Sequence, residues 1–335
     1  MIEEKLEIII PTYNRAKYLD KTLLALSKSP FSNCNITIRD NASTDNTQEI
    51  CIKYLKLFKN LTIIKNNVNI GGNANIIRCY EQSNSMYTWV IADNDTFNFK
   101  NCEDFVNAID SEQYDLIFCC SPGFPNQDGN SLNDIINNNF SESNSLEFKA
   151  KDLAQILKKY YFLSMGFIST CIFKRELLDS NCFILANDYI SKSYPHYAFI
   201  KKSIENNFLV YKTKTDLIHM EQNPDDWEIE TFNWIVRWIE CSLLIKDKEL
   251  QNYANQFFEG SAVYVSLGML ILAKAKNEKN LKYEVMDLIN IFFKLKGWFK
   301  GFIYSFIILL TYLTPKFICN SIYKKYITKK KLNVK

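Results

Sequence analysis

Two carboxylates stand one residue apart where an apolar run ends: Asp93 and Asp95, with Asn94 between them, follow Val90-Ile91-Ala92. If that run is a buried strand, alternation sends residues i and i+2 to the same side, where both can share a divalent cation with phosphate oxygens. Alone, such a triplet is common on solvated loops. Its weight comes from a second feature about eighty residues upstream, where the apolar stretch Leu6–Ile10 runs straight into Pro11-Thr12-Tyr13-Asn14-Arg15. Two more polar segments lie between them, Asp40-Asn41-Ala42-Ser43-Thr44-Asp45 and Asn69-Ile70-Gly71-Gly72-Asn73. Gly71-Gly72 lets backbone approach a ligand closely just before a helix N-terminus, a place that favours phosphate. The chain holds two histidines, His196 and His219, and an imidazole with an unperturbed pKa of about 6.5 is a competent general base at neutral pH.

These side chains need a scaffold, and the first half of the sequence supplies its pattern. Short β-branched runs alternate with helix-length segments, the sequence form of βαβ units around a mainly parallel sheet. Strands are expected at Glu7–Ile10, Asn35–Arg39, Leu61–Lys65, Tyr87–Ala92 and Leu116–Cys120, with helices at Lys17–Ser29, Asn46–Phe58 and Asn73–Gln82. Asp45, three residues before Gln48, reads as the start of a capping box. Further on, Gly123–Glu147 reads as a long surface loop, Lys151–Tyr161 as a helix, Phe167–Phe173 as a strand, Pro195 as the first turn of a helix and Phe208–Lys212 as the last strand of the catalytic unit. From Asp226 onward strand signals vanish and helical patterns take over, with Trp227, Trp234 and Trp238 on one helical face, a stripe that reads first as packing and second as a sugar platform. The expected division is therefore a domain over residues 1–224 and a helical region over 225–335.

Composition narrows the classes of function. The chain has 335 residues and a net charge of +3, too near balance for a surface devoted to nucleic acid. Its 10 cysteines contain no CxxC pair, so they read as reduced core residues rather than zinc or redox motifs. The acidic start Met1–Lys5 lacks the regions of a signal peptide. Near the other end, Gly301–Leu313 is almost wholly apolar and precedes Pro315 and a lysine-rich tail. About 13 residues fall short of the roughly 20 that cross a bilayer. A helix lying in the membrane interface over about 298–327 fits instead, placing the protein in the cytoplasm on the inner face of the cell membrane.

Taken together, the four polar segments resemble the inverting glycosyltransferases of family 2, which have the GT-A fold, over roughly residues 5–220. The resemblance implies a Rossmann-like α/β domain with a mainly parallel sheet flanked by helices, here with a helical C-terminal extension. By the same resemblance Pro11, Thr12, Tyr13 and Arg15 line a nucleotide pocket, and Asp40 beside Asn41 bonds the base or ribose. Gly71 with Asn73 or Asn75 meets the donor, Asp93 and Asn94 contact its sugar or ribose, and Asp95 ligates Mn²⁺ or Mg²⁺ with His219 near the metal or diphosphate. The family places its catalytic Asp in a first helical turn, with an apolar residue three further on and a basic one six further on. Here that alignment falls on His196, Phe199 and Lys202, with Asp188 as the rival base.

The expected reaction is metal-dependent transfer of a sugar from a nucleotide-diphosphate donor to a hydroxyl of a glycan or lipid-linked saccharide in bacterial surface-polysaccharide or lipooligosaccharide synthesis. Two other readings stay open: a sugar-phosphate nucleotidyltransferase, although Pro11–Arg15 lacks the glycines that class needs, and a non-catalytic adaptor at the membrane. A dinucleotide-dependent oxidoreductase is disfavoured, because no GxGxxG follows the first strand.

Overall fold

The computed structural model of the chain describes residues 1–97, 99, 102–120, 146–153, 166–190, 194–220, 236–237, 240, 243, 248, 261–277 and 281–332. It divides into two compact units, Met1–Glu221 and Gln222–Lys335.

Unit one opens on a short helix, α1 (Ile2–Lys5), and is built on an eight-stranded mixed sheet. Its strands are β1 (Leu6–Thr12), β2 (Asn35–Asp40), β3 (Leu61–Lys65), β4 (Tyr87–Val90), β6 (Leu116–Cys120), β7 (Leu146–Lys149), β8 (Cys171–Lys174) and β9 (Leu209–Asp216), in the order β3-β2-β1-β4-β8-β6-β9-β7. The left half, β3-β2-β1-β4, is parallel throughout. Strand β8 then runs antiparallel to both β4 and β6, while β9 is parallel to β6 and antiparallel to β7. A separate two-stranded ribbon pairs β5 (Asp95–Phe97) with β10 (Ile218–Met220).

The chain leaves β1 for β2 and β3 on one side, then returns to place β4 on the other. In an open α/β sheet this reversal opens a crevice at the carboxyl ends of the two central strands. Helices α2 (Ala16–Ser27), α3 (Thr47–Tyr54) and α4 (Gly72–Gln82) make these crossovers. Helix α2 shows why: Leu19, Leu23 and Leu26 recur at helical spacing and are fully buried. They join Leu6, Ile8, Ile10, Ile36 and Ile38 from the strands in one core. Phe31 seals its floor, with ring centroids 5.8 Å from Trp89 and 5.6 Å from Phe105 of helix α5 (Glu103–Ser111). Strands covered on both faces read as continuous apolar runs, which is the pattern of β1.

Several boundaries differ from the sequence expectation, each for a local reason. Strand β4 stops at Val90, because the Ala92 N–H is taken by the Ser169 hydroxyl at 2.8 Å. Within Phe167–Phe173 the chain first makes a 3₁₀ turn over Ile168–Thr170, since the Thr170 N–H and hydroxyl both donate to the Phe167 carbonyl; such side-chain bonds compete with a ladder. Asp45 is not the cap of α3: Asn46 holds that position, and the Asp45 carboxylate accepts from the Thr47 N–H at 3.1 Å and from the Ala16 N–H at 3.1 Å, joining the starts of two helices. After α6 (Ser180–Asp188), helix α7 runs Tyr197–Glu205, so Pro195 stands in the turn before it and not in its first turn. The loop expected over Gly123–Glu147 ends early, because Leu146 and Glu147 already pair with β9 as the start of β7; its remaining residues, most of the helix after Lys151, and Trp227, Trp234 and Trp238 lie outside the described residues.

Unit two contains helices α8 (Ser261–Lys276), α9 (Leu281–Leu313) and α10 (Lys316–Leu332). The single helix expected over 298–327 is two helices with a bend of 88° between them. The break falls at Thr314-Pro315, where proline removes a backbone donor. Among the described residues, no single helix is long and apolar enough to cross a membrane.

Candidate active site

Short polar bonds latch the carboxyl ends of β1, β2 and β3 together. The Asn41 N–H donates to the Thr12 carbonyl at 2.9 Å and the Asn66 N–H to the Asp40 carbonyl at 2.8 Å, extending both parallel ladders by one residue. Asn14 sits in the left-handed region at φ +53°, which asparagine tolerates. Its N–H donates to the Ser43 hydroxyl at 2.9 Å, and its side-chain oxygen accepts from the Thr44 N–H at 2.8 Å. Ala42 is also left-handed, at φ +66°, a strained state for alanine. Bonds on either side hold it there, including Asp40 Oδ1 accepting from the Ser43 N–H at 2.8 Å.

Asp40 is fully buried. Its Oδ2 lies 3.7 Å from Lys65 Nζ and accepts no hydrogen bond from the described residues. A carboxylate oxygen left in that state, between the β1 and β3 loop ends, suits a donor group brought by a ligand.

An asparagine lattice sets the next loop. The Asn41 amide donates to Asn69 Oδ1 at 2.8 Å, and Asn41 Oδ1 accepts from Asn66 Nδ2 at 2.9 Å and from the Ile70 N–H at 3.0 Å. Asn75, buried, accepts from Asn66 Nδ2 at 3.0 Å and donates to the Arg39 carbonyl at 3.1 Å. Gly71 caps α4 at φ +89°, ψ +148°, a conformation open to glycine, with free space above both Gly71 and Gly72. Asn73 reaches further: its amide donates to the Ile190 carbonyl at 2.6 Å, so the glycine loop lies beside the segment that follows Asp188.

The Asp-Asn-Asp triplet is not an extension of β4. Asp93 and Asn94 form a turn and Asp95 opens β5. The two carboxylates have different partners. Asp93 is buried, accepts from the Thr12 hydroxyl at 2.7 Å, and pairs with Arg15 Nη1 at 3.3 Å, while its carbonyl accepts from the Thr22 hydroxyl at 3.0 Å. Burial pushes its carboxyl above the usual range, against the pull of Arg15 and Thr12. Asp95 accepts from the Ser169 hydroxyl at 2.5 Å. Burial raises its pKa to about 6, opposed by the Ser169 bond and reinforced by the charge of Asp93. Both line one cleft of about 250 Å³ together with Asn94, Tyr18, Lys21, Thr22 and Phe97.

Two residues of this arrangement escaped the sequence reading. Ser169 is fully buried, accepts from the Ala92 N–H, donates to Asp95, and through its carbonyl receives the Trp89 indole N–H at 2.7 Å. Thr22 stands on the buried face of α2 among leucines. A hydroxyl on an otherwise apolar helical face was the available signal, as was the Ser169-Thr170 pair inside an apolar run.

No cluster of three or more His, Cys, Asp and Glu able to hold a metal unaided occurs among the described residues. The donor set still fits a hard cation, since Mg²⁺ is commonly held by one or two carboxylates plus phosphate oxygens and water. The backbone of His219 pairs with Thr96, and Met220 with Asp95, so β10 runs beside the triplet; the imidazole lies outside the described residues. His196 is buried at the N-cap of α7, its ring 5.4 Å from Tyr197 and 6.2 Å from Tyr194. Phe199 packs against Tyr80 at 4.9 Å and Phe173 at 5.4 Å, and Lys202 pairs with Asp179, the cap of α6. Asp188 is the exposed last residue of α6. Tyr13 is exposed beside Pro11 at the mouth of the crevice strand.

Residues 7–180, more than half of the chain, match the family described as glycosyl transferase family 2. The chain belongs to that family. RfbV of Salmonella typhimurium, named an abequosyltransferase, is 30% identical over 226 residues, which make up 64% of this chain and 63% of that protein; the match thus spans under two thirds of the relative's length. Among solved structures, S. aureus TarS 1-349 in complex with UDP-GlcNAc superposes with a TM-score of 0.57 at 16% identity, over 96% of this chain and 92% of that one. The mannosyltransferase PcManGT from Pyrobaculum calidifontis, in complex with GDP-Man and Mn²⁺, gives a TM-score of 0.51 at 12% identity, over 92% and 87%. At such identities the likeness speaks to fold alone, and the fold of this family 2 member is GT-A.

Proposed function

We propose that the protein transfers a sugar from a nucleoside-diphosphate donor to a hydroxyl of a glycan or lipid-linked saccharide in surface-glycan synthesis, with inversion at the anomeric carbon. The observation that carries this reading is the clasp between the ends of β1 and β4: the Thr12 hydroxyl on Asp93 at 2.7 Å, with Arg15 completing the pair. It fixes the triplet at the sheet's reversal point, beside the cleft that Asp95 lines. The name of the Salmonella relative, an abequosyltransferase, supports transfer of a sugar.

In this scheme the buried Asp40 accepts a donor hydrogen from the base or ribose, and the N–H groups of Gly72 and Asn73 at the start of α4 face the diphosphate, the Gly71 N–H being held by Asn69 Oδ1 at 2.8 Å. A Mn²⁺ or Mg²⁺ ion on Asp95, with His219 near it, would neutralise charge on the departing diphosphate. The acceptor oxygen bonds to the anomeric carbon as the carbon–oxygen bond to the diphosphate breaks. His196 or Asp188 takes the acceptor's proton.

A thermal-shift panel of nucleoside diphosphates and sugar nucleotides, with and without Mn²⁺, tests the donor site, because a ligand that binds only the native state raises the melting temperature. A metal-dependent shift that favours one nucleotide is expected, and no shift with any of them would overturn the reading. Transfer assays on His196→Ala and Asp188→Asn then separate the two bases: the true base loses orders of magnitude in turnover while nucleotide binding survives.

A further inference from the structure

Helix α9 changes character halfway along. Before Gly297 it is an ordinary amphipathic helix, burying Leu281, Val285, Leu288, Ile289 and Phe292. At Gly297, φ +71° and ψ −179° leave the helical region, and a second segment starts. There the buried positions are Gly301, Ser305 and Ile308, spaced i, i+4, i+7. Gly301 lies so close to Phe293 that a Cβ would stand 2.7 Å from its ring, and the Ser305 hydroxyl is spent on the Gly301 carbonyl at 2.7 Å. The small and hydroxyl-bearing residues face inward.

The large apolar residues face outward. Trp298 is 87% exposed, Phe299 81% and Phe302 68%, and Phe306 and Leu313 continue the stripe until Phe317, 74% exposed, carries it past the bend into α10. A helix meant for water does the opposite. This face is far larger than the scattered exposed side chains of a soluble surface.

Charge identifies what covers it. Residues 288–335 contain ten lysines and neither aspartate nor glutamate. Lys294, Lys296 and Lys300 gather at the kink, and Lys324, Lys325 and Lys329–Lys331 follow the stripe's far end. A second copy of the same face would set lysines against lysines with no acid to answer them. An anionic lipid surface answers both features, since aromatic rings settle at the headgroup boundary and lysine stems reach past them to the phosphates. Among the described residues no single helix is long and apolar enough to cross a membrane; the pair bent by 88° reaches that length and composition only jointly, and the lysines at the kink and after the bend, which a span would have to bury, favour a helix pair lying along the surface.

We propose that the outer faces of residues 298–313 and of α10 dock this protein on an anionic phospholipid surface, aromatic rings in the interface and lysines among the headgroups. The inference is independent of the donor-site reading. Full-length protein is sedimented with vesicles of phosphatidylcholine alone or with a minority of phosphatidylglycerol. Binding to the anionic vesicles that weakens with salt is expected. Phe302→Glu/Phe306→Glu should cut the partition coefficient roughly tenfold or more, with an unchanged circular dichroism melt because both side chains are exposed. Brominated lipid should quench wild-type tryptophan emission, and Trp298→Phe should remove that quenching while binding persists. Equal, weak sedimentation with both vesicles would overturn the proposal. So would a wild-type dimer that the double variant turns into a monomer, since the face would then belong to a second copy.

Discussion

Asp95→Asn puts a number on what the fold does to the last carboxylate of the triplet. Burial is the largest influence on it, the Ser169 hydroxyl opposes burial, and the charge of Asp93 adds to it; together they move the pKa from 3.8 to about 6. Near 1.4 kcal/mol per unit, this shift has a ceiling of about 3 kcal/mol, and because Asp95 keeps some contact with solvent the working expectation is about 1–3 kcal/mol. The sign follows from proton counting. With the folded value above the unfolded one, the native state binds more protons between the two, so the penalty is absent below about pH 4, grows as pH rises to about 6, and is constant above that. Asparagine keeps the shape and the oxygen that accepts from Ser169, but carries no charge.

Without metal, the variant should therefore be more stable than the parent by about 1–3 kcal/mol at pH near 7.5 and equal to it near pH 4. Urea unfolding in EDTA across that range measures the difference, and comparing two proteins that share every other titrating group cancels the rest. A variant no more stable at neutral pH, or one whose advantage persists at pH 4, would refute the burial argument. In the same samples, Mn²⁺-dependent nucleotide binding should be lost; its survival would remove Asp95 as the ligand even if the stability arm holds.

Arg15→Gln removes the cation 3.3 Å from buried Asp93; with Arg15 half exposed, urea unfolding should show a loss of about 1–2 kcal/mol, and a change of a few tenths would mean that Thr12 alone holds Asp93. Gly71→Ala meets open space but must adopt φ +89°, so it should lose about 1–2 kcal/mol and bind donor more weakly. Gly72→Ala, with equal space and no such φ, is the control and should leave stability near the parent's. Ser169→Ala strips the hydroxyl between the Ala92 N–H and Asp95, at about 1–3 kcal/mol for a buried donor left unpaired; a neutral result would show that water fills the gap.

The parts of this fold that sequence could announce are those in which local signals and burial agree. Strand β2 starts at Asn35 as the β-branched run suggests, with Ile36–Asp40 buried, and α4 ends at Gln82 as expected, with Ile77 and Tyr80 on its covered face. The misreadings share one cause. Ser169 and Thr170 sit in an apolar run, and only tertiary contact decides that their hydroxyls turn the chain before β8 begins. The Asp45-to-Gln48 spacing resembles a capping box, yet the carboxylate also has the Ala16 N–H within 3.1 Å, a donor 29 residues away that no local rule can see.

The triplet illustrates the same limit at the site. Strand alternation would have aimed Asp93 and Asp95 alike. Instead a turn aims Asp93 at Thr12 and Arg15 and leaves Asp95 to Ser169. That division has a chemical consequence. Arg15 and Thr12 occupy Asp93 and fix the turn, so it acts as an anchor; Asp95 has one hydroxyl partner and a carboxyl poised near 6, and is the group with coordination capacity left over. Exchanging the two roles would require moving Ser169 and Arg15 together, which is why the spacing of the acids alone could not assign them.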